Sequence, residues 1–186
     1  MGIKISVNGL CKEEINNSYK ILCDGNSVAT AYSVEYQGEK IYEKAKRNKH
    51  FVGNMFIFEA IPIVSAIRRI PKFYNGSKDP VVVATDNRQL VEYMDWFFDW
   101  EAKKNERIEE IQSRFGIPCL KEINSMLEPV REIAESYPLY FGRIRNGSRK
   151  RENRAHELCT KKMDAALKQF LKQRSNLKAL RKYGYL

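Results

Sequence analysis

The chain has 186 residues and a mass of 21.7 kDa, enough for one domain with an appendage or for two small ones. Hydrophobic residues make up 43% and aromatics 11%, which supplies a core and excludes wholesale disorder, and no run approaches the ~18 apolar residues of a membrane-spanning helix. Lys and Arg number 33 against 23 Asp and Glu, net +10, and the four cysteines are scattered without a CxxC pair; that excludes a disulfide framework or zinc knuckle and suits a reducing, intracellular, cytoplasmic setting.

Residues 1–18 read as an N-terminal extension with one short strand, because Ile3, Ile5 and Val7 alternate before Asn8-Gly9. Tyr19 to Asp24 is a short apolar strand closed by the turn composition Asp24-Gly25-Asn26-Ser27. Val28 to Gln37 alternates, Gln37-Gly38 turns the chain, and Glu39 to Lys46 returns it, so three antiparallel strands follow one another. From Phe56 the period becomes helical, with Phe56, Ala60, Ile63, Ile67 and Ile70 on one stripe. Pro62 is tolerated only near a helix start, which predicts a beginning around Phe58. Val81 to Thr85 is an unbroken apolar run, typical of a strand buried on both faces, and a helix from about Asn87 to Trp100 continues through Arg114. Phe115-Gly116-Ile117-Pro118 breaks it. A helix from Leu120 to Ser136 carries Pro129 as a kink, Tyr137 to Ile144 is a strand, and a last helix runs from Arg151 past Phe170. The order β-β-β-α-β-α-α-β-α predicts a mixed sheet of the α/β class.

Four positions stand out. Asp24 and Asp86 each end an apolar strand, and if those strands are parallel neighbours both carboxylates leave the sheet at one edge. Glu59 lies on the stripe Glu59, Ile63, Ala66, Ile70, and His156 on the stripe His156, Cys159, Met163, Ala166, Phe170, so an acid and a histidine both face inward at helix starts. An inward acid must be paired, protonated or bound to a cation. Taken singly, Asp24 is a turn aspartate, Asp86 an N-cap and His156 a satisfied core histidine. Taken together, in this chain order, the four point to one shared site.

Charge adds a partner. From Tyr137 to Leu186 there are 14 basic and 3 acidic residues, so essentially all the excess positive charge lies in the last 50 residues. Dispersed solubility charge would not collect this way; a polyanion, most commonly nucleic acid, explains it better than a solvated tail.

Residues 19 to about 166 resemble the type 1 ribonuclease H family. Ile21-Leu22-Cys23-Asp24-Gly25 is similar to its first-strand motif. Phe58-Glu59-Ala60 is similar to its helix-borne glutamate, Val83-Ala84-Thr85-Asp86-Asn87 to its strand-end aspartate, and Glu152-Asn153-Arg154-Ala155-His156-Glu157-Leu158 to its closing helix motif. The position of the family's fourth carboxylate is occupied by His156. The resemblance implies a ribonuclease H-like fold, a five-stranded mixed sheet flanked by helices, over residues 19–165, with a basic C-terminal helix extension over 166–186. It implies a metal-dependent endonuclease that hydrolyses the RNA strand of RNA–DNA hybrids, with Asp24, Glu59, Asp86 and His156 holding two Mg²⁺ or Mn²⁺ ions. Asn26, Asn54, Asn87, Arg88 and Gln89 would contact the nucleic acid, and Arg145, Arg149, Lys150 and Arg151 would grip phosphates beside the site. A monomer is expected. The alternatives are a binding module of the same fold that has lost catalysis through His156, or a related nuclease acting on another duplex.

Overall fold

Tyr19, Ile21 and Cys23 alternate with Lys20, Leu22 and Asp24 along the first long strand, and this period of two decides which side chains enter which of two cores. The computed structural model describes residues 5–48, 54–99, 108–144 and 154–171. The strands are β1 (Ile5–Val7), β2 (Tyr19–Gly25), β3 (Ala29–Tyr36), β4 (Glu39–Arg47), β5 (Val81–Thr85) and β6 (Leu139–Ile144). The helices are α1 (Lys12–Asn16), α2 (Met55–Ile67), α3 (Ile70–Phe73), α4 (Arg88–Phe98), α5 (Ile108–Phe115), α6 (Leu120–Leu127), α7 (Arg131–Glu135) and α8 (Arg154–Leu171), with a 3₁₀ turn at Glu128–Val130. None of the described helices is long and apolar enough to cross a membrane.

The sheet order is β1-β6-β5-β2-β3-β4, with β6, β5 and β2 parallel and the remaining pairs antiparallel. One face, bearing Tyr19, Ile21, Tyr32, Val34, Val81 and Val83, packs on α2, α4 and α6. On the other, Leu22, Ala84 and Ile144 pack on Ala155 of α8. Five residues of β5 are buried without a break, as expected for a central strand covered on both sides.

The sheet has six strands rather than the expected five. Ile5↔Ile144, Ser6↔Arg143 and Val7↔Gly142 pair the N-terminal segment with β6. Gly142 makes room for it: a Cβ there would lie 2.8 Å from the Ile5 Cγ2 and 3.1 Å from Val7 Cγ2. Helix α2 begins at Met55, not near Phe58, because the Asn54 Oδ1 accepts from the Phe56 N–H at 3.0 Å and caps it. Pro62 is therefore interior, and it leaves the Phe58 carbonyl without its i+4 donor. Helix α4 ends at Phe98, where Asp99 turns extended, so the expected unbroken helix to Arg114 is divided. The Arg131 guanidinium caps that end, donating to the Phe97 carbonyl at 3.3 Å while stacked over the Phe97 ring. Pro129 breaks the following helix into α6, a 3₁₀ turn and α7, as its position predicts.

Asp95 of α4 ties the N-terminal segment to this core, accepting from the Asn8 amide at 3.4 Å and from the Phe141 backbone N–H. Burial pushes its carboxyl up to about 6, with Glu92 adding repulsion. Its proton is held more tightly in the folded than in the unfolded chain, so its contribution is full below the ordinary aspartate range and is lost as pH rises through about 6. Asp95→Asn keeps one acceptor oxygen and cannot ionise. The difference in stability between wild type and Asp95→Asn is expected to move in favour of the variant by on the order of 1–2 kcal/mol between pH 4 and pH 7.5. Urea titrations at the two pH values check it; a difference that does not change with pH refutes it.

Candidate active site

The β2–β5 register ends at Leu22↔Ala84, so Asp24 and Asp86, each two residues further along parallel strands, leave the sheet at the same edge. Asp24 is still within β2 and its side chain is only 15% exposed, whereas Asp86 has left β5 and is exposed.

Gly25 brings the third acid. A Cβ on Gly25 would lie 2.7 Å from the Phe58 carbonyl carbon and closer still to its oxygen, the same carbonyl that Pro62 deprives of its i+4 donor. Only glycine lets the first turn of α2 lie against the end of β2, and that approach sets Glu59 beside Asp24 and Asp86. Burial is the main cause that raises the Glu59 carboxyl to about 7. The charges of Asp86 and Asp24 raise it further, and a hydrogen bond from the Asn87 amide opposes them. Asn87 serves two elements at once, since its Oδ1 accepts from the Leu90 N–H at 3.0 Å and caps α4.

His156 comes from the opposite face of the sheet. Its Nδ1 lies 2.8 Å from the Asp24 Oδ2, and its ring is 42% exposed. An ionised carboxylate only accepts, so with Asp24 charged the imidazole proton is on Nδ1. Burial raises the Asp24 carboxyl and Asp86 adds to the rise; the hydrogen bonds from His156 and the Gly25 N–H work against it. One turn on, the Cys159 thiol donates to the Asp24 carbonyl at 3.2 Å, which places the inward stripe of α8 over β2.

The four positions singled out in the sequence therefore meet at one edge. Among the described residues, however, no three His, Cys, Asp or Glu side chains stand close enough together to hold a metal ion. Each partly buried acid is turned to a protein donor instead, Asp24 to His156 and Glu59 to Asn87. In chemistry the donor set fits divalent cations: three carboxylates at one sheet edge supply hard oxygen ligands, and in Asp24 and Glu59 burial and the charge of Asp86 disfavour the free anion.

The expected nucleic-acid contacts have local partners. The Asn26 Oδ1 accepts from the Val28 and Ala29 N–H groups, both at 2.9 Å, and holds the β2–β3 turn. Asn54 and Asn87 are helix caps. Gln89 donates to the Phe115 carbonyl at 3.1 Å, and Arg88 pairs with Glu92 at 2.5 Å. Arg145, Arg149, Lys150 and Arg151 lie outside the described residues. Sequence reasoning missed Glu43. From β4 it accepts two hydrogen bonds from the Arg154 guanidinium, at 3.0 and 3.2 Å, and so fixes the first turn of the helix that carries His156. Nothing in the local pattern of either residue marks a pairing 111 positions apart.

No family model matches the chain, and no curated protein matches it in sequence. Solved structures match its fold. The N-terminal ribonuclease H domain of a Mycobacterium tuberculosis protein, solved as a fusion with maltose-binding protein, gives a TM-score of 0.53 at 18% identity, covering 82% of this chain and 99% of that one. The ribonuclease H1 called LC11, isolated from compost by a metagenomic approach, gives 0.56 at 19% identity over 81% and 99%. Its complex with an RNA/DNA hybrid gives 0.53 at 17% identity over 80% and 96%. This chain has the ribonuclease H-like fold, with β1 added at the β6 edge of its sheet.

Proposed function

We propose that this protein is a divalent-metal-dependent endonuclease that hydrolyses the RNA strand of RNA–DNA hybrids. The observation that carries the reading is the meeting of Asp24, Glu59, Asp86 and His156, from two strands and from one helix on each face, at one edge of a ribonuclease H-like sheet. The solved hybrid complex of a chain with the same fold supports the substrate class.

Asp24, Glu59, Asp86 and His156 would hold two Mg²⁺ or Mn²⁺ ions. Such a pair, when bound, supplies Lewis-acid activation of a water and neutralises charge at the departing 3′ oxygen. The chain's own residues do the rest. Asn87 orients Glu59 through its amide while rooted in the start of α4. His156 keeps its Nδ1 proton on Asp24, which leaves the Nε2 lone pair as the ligating one and orients the Asp24 carboxylate. Arg145, Arg149, Lys150 and Arg151 add sequence-independent phosphate contacts.

One observation favours a second reading, a binding module without catalysis: the His156–Asp24 hydrogen bond occupies an oxygen of the central acid. A metal-exchange experiment separates the two. Wild type should cleave a labelled hybrid faster in Mn²⁺ than in Mg²⁺, because imidazole nitrogen suits the softer ion. His156→Asp should shift the preference toward Mg²⁺, and His156→Ala should lower cleavage with both. A wild type inert in either metal, with cleavage gained in His156→Asp, establishes the binding module instead.

A further inference from the structure

The N-terminal strand does more than extend the sheet. Together with β6 and α4 it encloses a pocket of about 370 Å³, walled by Ser6 and Asn8, by Phe141 and Arg143, and by Arg88 and Glu92. Its walls include residues next to the carboxylate edge. Arg143 is in register with Thr85, the residue before Asp86, and Arg88 comes two residues after Asp86.

The chemistry of the walls is specific. The Arg143 Nε is buried and has no hydrogen-bond partner among the described residues. A guanidinium N–H shut away from water without an acceptor is costly, and an anionic oxygen is the acceptor that best relieves it. Arg88 is the second cation. Its bond to Glu92 joins two largely exposed side chains, 67% and 45% accessible, a pairing weak enough to be exchanged for a ligand. The Ser6 hydroxyl and the Asn8 amide add neutral donors, and Phe141 offers an apolar wall. Two cations against one acid disfavour a cationic ligand. The volume lies in the range of small-ligand pockets, about 300–1,000 Å³, and is sized for a phosphate with its sugar rather than for a bare ion.

We infer that this pocket binds a sugar–phosphate unit of the nucleic-acid strand that lies across the carboxylate edge, with Arg143 on the phosphate and the N-terminal strand as one wall. The inference rests on the proposed nuclease reading for the identity of the polymer. It makes residues 5–8 part of the substrate surface.

The test uses the full chain, in EDTA so that no hydrolysis intervenes. Binding of a fluorescent RNA–DNA hybrid is measured against salt for wild type, Arg143→Gln, Arg143→Lys and Asn8→Ala, with thermal melting as the check on folding. Asn8 is exposed, and because its substitution also removes the 3.4 Å bond to Asp95, the melting check shows whether the N-terminal strand stays seated. Arg143→Gln should bind roughly three- to tenfold more weakly and lower the slope of log affinity against log salt by about 0.7–0.9, the share of one phosphate contact. Arg143→Lys should restore the slope but only part of the affinity, because it keeps the charge and loses the fork. Asn8→Ala should weaken binding without changing the slope. The Arg143 Nε–H resonance in a ¹⁵N-labelled protein should shift on addition of hybrid. If wild type binds hybrid, and the variants bind equally well while the resonance stays still, the pocket assignment is wrong and the carboxylate reading stands. If adenosine monophosphate moves the resonance and hybrid does not, the pocket serves a free nucleotide and the strand assignment is overturned. If wild type binds no nucleic acid at all, the proposed function fails first and the inference fails with it.

Discussion

Asp24→Asn is expected to lower cleavage of an RNA–DNA hybrid by roughly three orders of magnitude while the melting temperature holds or rises. The two effects have one origin. Asp24 is the acid most enclosed by the site: partly buried, within reach of the Asp86 charge, and bonded to His156. Burial and Asp86 both work against its ionisation, so replacing it with a neutral side chain of the same shape relieves repulsion. An asparagine oxygen still accepts the Nδ1–H of His156, so the seat of α8 on β2 is kept. What the substitution removes is the anion at the centre of the candidate ligand set, and a neutral amide does not replace it as a cation ligand. Asp86→Asn should behave alike at a more exposed position. Cleavage of labelled hybrid in saturating Mg²⁺ and Mn²⁺, beside calorimetric melting, measures both effects. Undiminished hydrolysis in either variant would refute the assignment of the site.

Gly25→Ala should act in the opposite order, on the fold first and on the site through it. The added methyl would meet the Phe58 carbonyl, which is backbone and has no rotamer to give, so the start of α2 must shift away from β2. Overpacking of this kind costs roughly 2–3 kcal/mol, about 5–10 °C in Tm for a chain of this size. Because Glu59 rides on the displaced turn, activity should fall further than the unfolded fraction explains, even well below the new Tm. Gly38→Ala is the control. Gly38, unlike Gly25, has a positive φ, +80°, and nothing lies within 4 Å of a Cβ there, so its cost is the left-handed backbone alone, about 1 kcal/mol. Activity at permissive temperature should be untouched. A Gly25→Ala protein that melts and cleaves like Gly38→Ala would show that the close approach of α2 does not set the position of Glu59.

Much of this molecule is legible in the order of its residues, and the legible parts share a cause. The β2–β3–β4 meander follows from alternation over short segments joined by Asp24 to Ser27 and by Gln37-Gly38, whose positive φ values of 51° and 80° suit a two-residue hairpin. The central position of β5 follows from five apolar residues in a row, and the break at Pro129 from a missing N–H. Asp24, Glu59, Asp86 and His156 could be picked out because each interrupts or begins an apolar pattern, and pattern is a local property. Other features were settled only in three dimensions. The alternation of Ile3, Ile5 and Val7 marks β1 as a strand but not its partner; it docks on β6 because Gly142, 135 positions beyond Val7, leaves a gap for its side chains. The close approach of the α2 start to β2 depends on Gly25, distant in the chain, whose missing side chain leaves room for the Phe58 carbonyl. Asn26, Asn54 and Asn87, read in sequence as nucleic-acid contacts, also form a turn clasp and two helix caps, which the local pattern does not show. The pairing of His156 with Asp24 spans 132 positions, and that of Arg154 with Glu43 spans 111. Side-chain periodicity records only the rise and rotation of one element. The bonds that orient this site join elements on opposite faces of the sheet, and they come into being when parallel strands bring distant ends of the chain to one edge.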